Sequence, residues 1–121
     1  MAGATVAGLQ LAGCNPFSRE RQSLSQPLAL SQFCDEDAII EIGKAYQQMD
    51  PQATDPVQLQ QALLNDIYGK DAPPKDADDI PVDKINARIR KDYEEQRVVS
   101  PAGWIISRTE ARQCALFALN A

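Results

Sequence analysis

Four stretches of this chain repeat apolar residues every three or four positions, and each is bracketed by residues that start or stop a helix. Ile39, Ile42, Tyr46 and Met49 lie between the acidic trio Asp35, Glu36, Asp37 and Pro51. Anions suit a helix N-terminus and proline ends a helix, so the pattern predicts one over about Asp35–Met49. Asp55-Pro56-Val57-Gln58 supplies an N-cap, a first-turn proline and a capping-box glutamine. The stripe Leu59, Leu63, Leu64, Ile67 then runs to Gly69. A third helix is expected over about Pro81–Gln96, with Val82, Ile85, Ile89 and Tyr93 as its buried face. A fourth opens with the capping box Ser107-Arg108-Thr109-Glu110. Its residues Ala111, Cys114, Ala115 and Ala118 form a narrow stripe of small side chains, while Leu116, Phe117 and Leu119 cover other faces. A helix apolar all round is central in a bundle or half covered by another chain.

Before that last helix, Val98-Val99 and Trp104-Ile105-Ile106 flank Ser100-Pro101-Ala102-Gly103, a type I turn pattern. A lone hairpin is marginal in water, so Trp104 and Ile105 or Ile106 are expected to lie on the helices. The fold class is all-α: a small bundle of about four helices with a short β-hairpin before the last.

Composition narrows the function. Twelve Lys and Arg against 17 Asp and Glu leave a formal charge of -5. That balance offers no basic stripe for nucleic acid and no patch for anionic lipid. No apolar run approaches the roughly eighteen residues that span a bilayer. The chain has no His, which removes the commonest general base and a common metal ligand. No Ser or Cys has a base partner, Gly3 and Gly8 are followed by no phosphate-loop Lys, and an EF-hand counted from Asp76 would place Pro81 and Ala87 where Gly and Glu are needed. Glu94 and Glu95 are adjacent and point apart on a helix. The chain is therefore expected to be no enzyme, with no cofactor and no metal.

Residues 1–13 are uncharged and dense in Ala and Gly, a composition of export signals rather than core helices. Leu11-Ala12-Gly13-Cys14 resembles the lipobox of bacterial lipoproteins. That resemblance implies cleavage before Cys14 and a diacylglycerol on its thiol. No basic residue precedes Cys14. The stretch Ala-Gly-Ala-Thr-Val-Ala-Gly is similar to the apolar half of a twin-arginine leader whose arginines lie upstream of Met1. The bland alternative is a disordered N-terminus with a chance cysteine. The expected organisation is an export-signal remnant (1–13), a polar tether behind the lipid anchor (14–30) and a helical domain (31–121).

On the exported reading, Cys34 and Cys114 lie in an oxidising compartment. A disulfide between them would close a loop of about 80 residues, contributing up to about 4.5 kcal/mol in the chain-entropy model. Two buried free thiols are the alternative. Trp104, Arg108, Glu110 and Arg112 are the candidate partner- or ligand-binding residues. Two arginines one turn apart near a helix N-terminus call for acidic compensation. It could come from within, with Asp35 and Asp37 brought to Arg112 by the disulfide. It could also come from a partner, with Trp104 as aromatic anchor.

The segments Ile89-Arg90-Lys91-Asp92-Tyr93 and Gly103 through Leu116 are similar to the C-terminal part of small twin-arginine-exported proteins, some of which resemble small subunits of membrane-bound sugar and alcohol dehydrogenase complexes. The resemblance implies a non-catalytic accessory subunit or export companion of a periplasmic oxidoreductase, its partner a larger flavin-type subunit and its attachment to the membrane a lipid. It carries over no catalytic residue. That reading expects an exposed apolar patch near the hairpin or last helix. The alternative is a stand-alone lipoprotein with a small anionic ligand held by Trp104, Arg108 and Arg112.

Overall fold

The computed structural model describes residues 20–121. The lipobox and Cys14 lie outside the described residues. A two-residue strand β1 (Arg21–Gln22) opens the described chain, followed by a single turn α1 (Leu28–Ser31) and helix α2 (Glu36–Met49). A 3-10 turn (Pro51–Thr54) leads into α3 (Pro56–Tyr68). After a polar loop come β2 (Ile80–Pro81) and α4 (Val82–Glu94). The hairpin strands β3 (Val98–Val99) and β4 (Ile106–Ser107) lead to α5 (Arg108–Asn120). The fold is thus mainly helical with two small antiparallel strand pairs, β1 with β2 and β3 with β4.

The helix ends fall where the cap chemistry puts them. The Asp35 carboxylate accepts from Ala38 N at 3.0 Å, and Asp55 accepts from Val57 N at 2.9 Å. Gly69 closes α3 with φ +57°, a left-handed backbone that other residues rarely adopt. At α5 the capping box is complete. The Ser107 hydroxyl accepts from Glu110 N at 3.0 Å, and Glu110 Oε1 accepts from Ser107 N at 3.2 Å.

Helix α5 is the axis of the core, with α2, α3 and α4 all packed on it. The small-residue stripe has a specific partner in Gly43. A Cβ built there would lie 2.6 Å from the Cys114 carbonyl carbon and 3.0 Å from the Ala115 Cα. Only glycine lets the two backbones meet, and only small residues on α5 leave room for the approach. Around this seam Ile39, Ile42, Leu59, Leu63, Ile80 and Ile85 are buried. Each fully buried side chain of this size contributes about 1.5–3 kcal/mol.

Three expectations change. Residues 21–30 are not a free tether. β1 pairs with β2, Leu24 N donates to Ala77 O at 3.0 Å, and Leu24 and Leu30 are buried in the core. Met49 is exposed because α2 ends there and the chain turns away at Asp50. The hairpin turn is not type I. Ala102 and Gly103 have φ +53° and +83°, so the connection runs through two left-handed residues, and Pro101 rather than Trp104 is buried beneath it.

Candidate functional site

The end of α4, the hairpin and the start of α5 meet around two buried carboxylates. Asp92 is 1 % exposed. Its Oδ2 accepts from Thr109 N at 2.9 Å and Thr109 Oγ1 at 2.7 Å. It thereby satisfies a first-turn N–H of α5 from outside that helix, where negative charge is favoured by the dipole. Its Oδ1 accepts from Arg88 Nε at 3.1 Å and lies 3.3 Å from Arg97 Nε. Glu95 joins both arginines, 3.4 Å from Arg88 and 2.8 Å from Arg97, so two cations meet two carboxylates. The Arg97 contacts are ion pairs without aligned hydrogen bonds, since its Nε and one terminal nitrogen are buried and donate to no acceptor.

Glu110 is the second carboxylate. Its Oε1 accepts from the Tyr93 hydroxyl at 2.9 Å, the Ser107 hydroxyl at 2.9 Å and the Ser107 amide. Burial pushes the Tyr93 phenol up to about 12, and its hydrogen bond to the Glu110 carboxylate and that group's charge push the same way. Two main-chain bonds complete the frame: Arg97 N donates to Asp92 O at 2.7 Å, and Arg108 N donates to Arg97 O at 3.0 Å. Eight side chains and two backbone bonds therefore hold the hairpin against two helices. Breaking such a set by removing one charged member costs about 3–5 kcal/mol, because the remaining charges stay buried.

The frame carries an apolar surface. Ile105 is 74 % exposed and Trp104 is 37 % exposed, whereas Ile106 is buried. Of the eight exposed large hydrophobic residues among the described residues, Tyr93, Val98, Trp104 and Ile105 fall between positions 93 and 105, a concentration that a solvated surface would not need. Arg108 beside them makes no side-chain ion pair among the described residues.

The four candidate residues divide by environment. Trp104 and Arg108 belong to the surface just described. Glu110 is buried and spent on capping α5 and holding Tyr93. Arg112 is compensated internally, but by Asp66 of α3 at 2.7 Å rather than by Asp35 or Asp37. Asp35 is occupied at the N-terminus of α2, and the C-terminal half of α2 approaches Arg112 through Tyr46. The polar cleft that Arg112 lines contains neither Trp104 nor Arg108, so the three do not form one anion site.

The Cys34–Cys114 disulfide is absent; both are free thiols. Cys34 Sγ donates to Leu30 O at 3.2 Å within its own turn, and Cys114 is held in the core where α5 meets Gly43. Burial raises the Cys114 thiol to about 12, with the nearby Cys34 adding to the shift; Cys34 itself is raised by burial and by Asp35.

Asp92 was missed as a functional residue, though a signal existed. It lies three residues after Ile89 and seven after Ile85, on the apolar face of α4, with Arg88 four residues before it. A charged residue in a buried register next to an arginine announces an internal ion pair. Among the described residues, no three Cys, Asp or Glu side chains converge to hold a metal, and no helix is long and apolar enough to cross a membrane. No family model, curated protein or solved structure matches the chain.

Proposed function

We propose that this chain is a non-catalytic accessory subunit or export companion of a larger, membrane-associated flavin-type oxidoreductase, held on the periplasmic side by a lipid on Cys14. It binds that partner through the hairpin surface. The observation that carries the reading is the exposed Trp104–Ile105 pair mounted on a buried, doubly charged frame. An exposed apolar pair costs solubility, and a frame that orders it in advance lowers the entropy lost on docking. Aromatic anchors with an arginine nearby are the residue types that dominate protein interfaces. Arg108 gives the surface a cation for an acidic group of the partner. The tripeptide before Cys14, and its resemblance to a lipobox, support the anchor.

The test uses the full-length protein in membranes of its native host. A photo-crosslinking residue at position 105 is expected to capture one large flavin-containing chain. The same group at position 57, where Val57 is also exposed, is expected not to. Equal capture from both positions, or none from either, would overturn the docking assignment. Intact mass of the same preparation is expected to give a chain beginning at a diacylglyceryl Cys14. An unmodified Cys14 still joined to Gly13 would remove the anchor.

A further inference from the structure

We propose that the cleft between the 3-10 turn, α3 and α5 is a binding site for a neutral polyhydroxylated small molecule, independent of the hairpin surface. The cleft is open to solvent, has a volume of about 380 Å³ and is lined by Gln52, Gln58, Gln61, Asn65, Asp66 and Arg112. That volume falls at the lower end of the range for small-ligand sites, about 300–1,000 Å³.

The chemistry of the lining selects the ligand. Gln58, Gln61 and Asn65 stand at spacings of three and four on one face of α3, so their carboxamides form a row along the cleft. None of the four carboxamides makes a hydrogen bond to protein among the described residues. Some other amides donate within the protein: Gln22 and Gln113 to Gln26 O, and Gln47 to Ala115 O. Each free carboxamide offers two donors and an acceptor oxygen. A hydroxyl also donates and accepts, so vicinal hydroxyls match the row.

The charges exclude the other small ligands. Arg112 and Asp66 pair at 2.7 Å at one side of the cleft and sum to zero. An anion would meet the Asp66 carboxylate, and a cation would meet the Arg112 guanidinium. Arg112 Nε is buried beside the ion pair with no acceptor, so it reports on the cleft wall without itself being open to a ligand. No aromatic ring lines the cleft, so stacking is missing and binding is weak, on the order of 1 mM.

Amide-detected NMR of the whole chain tests this, because the side-chain NH₂ signals of the four residues report directly. Glucose, sorbitol and maltose, each raised to roughly 50 mM, are expected to move those signals and the Arg112 Nε signal at a Kd near 1 mM. In the double variant Gln61→Ala/Asn65→Ala the affinity is expected to fall about tenfold or more, with backbone signals elsewhere unchanged, because neither side chain bonds to protein. Sodium phosphate, citrate and triglycine serve as the competing classes. No movement with any polyol, equal movement in the double variant, or movement with phosphate, citrate or triglycine alone would each overturn the assignment. Failure here leaves the crosslink from position 105 untouched, since the two surfaces share no residue.

Discussion

Helix α5 is held on two of its sides by different means. Against α2 it presents Ala111, Cys114 and Ala115, and the backbones close at Gly43, with one polar side chain at the crossing, Gln47, whose amide donates to Ala115 O at 3.2 Å. Against α4 and the hairpin it presents Ser107, Thr109 and Glu110, and the joint is made by buried carboxylates and arginines. The first joint is held mainly by close packing, with glycine on α2 and small residues on α5 setting how near the helices come. The second fixes direction, because Asp92 and Glu110 Oε1 meet their donors only in one arrangement of hairpin and helices. The difference teaches where the two tasks lie: the seam stabilises the bundle, and the polar joint positions the surface that carries Trp104 and Ile105.

The largest effect is expected at the polar joint. Asp92→Ala strands Arg88 and Arg97 and removes the cap on Thr109, so a loss of about 3–5 kcal/mol is expected by urea unfolding. A loss under about 1 kcal/mol would mean that the joint is not a unit. Next is the seam. Gly43→Ala forces a methyl against the Cys114 carbonyl, and overpacking of this kind costs about 1–3 kcal/mol, at the upper end here because backbone must move. Unchanged stability would show that the helices stand farther apart than described.

These two predictions mark what could be read in advance. The four main helices, their caps at Asp35, Asp55 and Ser107, and the hairpin before α5 all rest on local signals of spacing and capping. The small-residue stripe on α5 was visible, but its partner Gly43 was not, because which helix crosses which is a property of the assembled bundle. The β1–β2 pair was invisible for the same reason: Gln22 and Ile80 are far apart in the chain, and a two-residue strand has no periodicity. The spacing puts Tyr93 on the buried stripe, whereas Tyr93 is half exposed and Asp92 beside it takes the buried position. Of the candidate site, Trp104 and Arg108 remain a surface, while Glu110 and Arg112 proved to be internal.

A smaller effect separates the regions by pH. The folded pKa of Tyr93 is raised from 10.0 to about 12, so the neutral phenol is favoured in the folded state. Its contribution is fully present below pH 10, and it is lost as pH rises through the window from 10 toward about 12. Ultraviolet titration is expected to find Tyr93 ionising near the top of that window. Glu110→Gln is expected to lower the value only in part, because burial is the larger cause. Ionisation of Tyr93 at its ordinary value in the wild type would deny the hydrogen bond to Glu110.

The smallest expected effect on folding is in the thiols, which report on the seam without perturbing it. Peptide mapping after alkylation is expected to find Cys34 modified in the folded protein and Cys114 protected until unfolding, since the Cys114 thiol is buried and raised to about 12. Equal rates at the two positions would mean that the seam opens readily.

Hydrogen exchange on Asp92→Asn, which keeps the shape and removes the charge, compares the two joints in one experiment. Amides from residues 97 to 109 are expected to lose protection, while those of α2 and of residues 111 to 118 keep theirs. Uniform loss across both sets, or no change at the hairpin, would contradict the division of labour between the apolar seam and the charged joint.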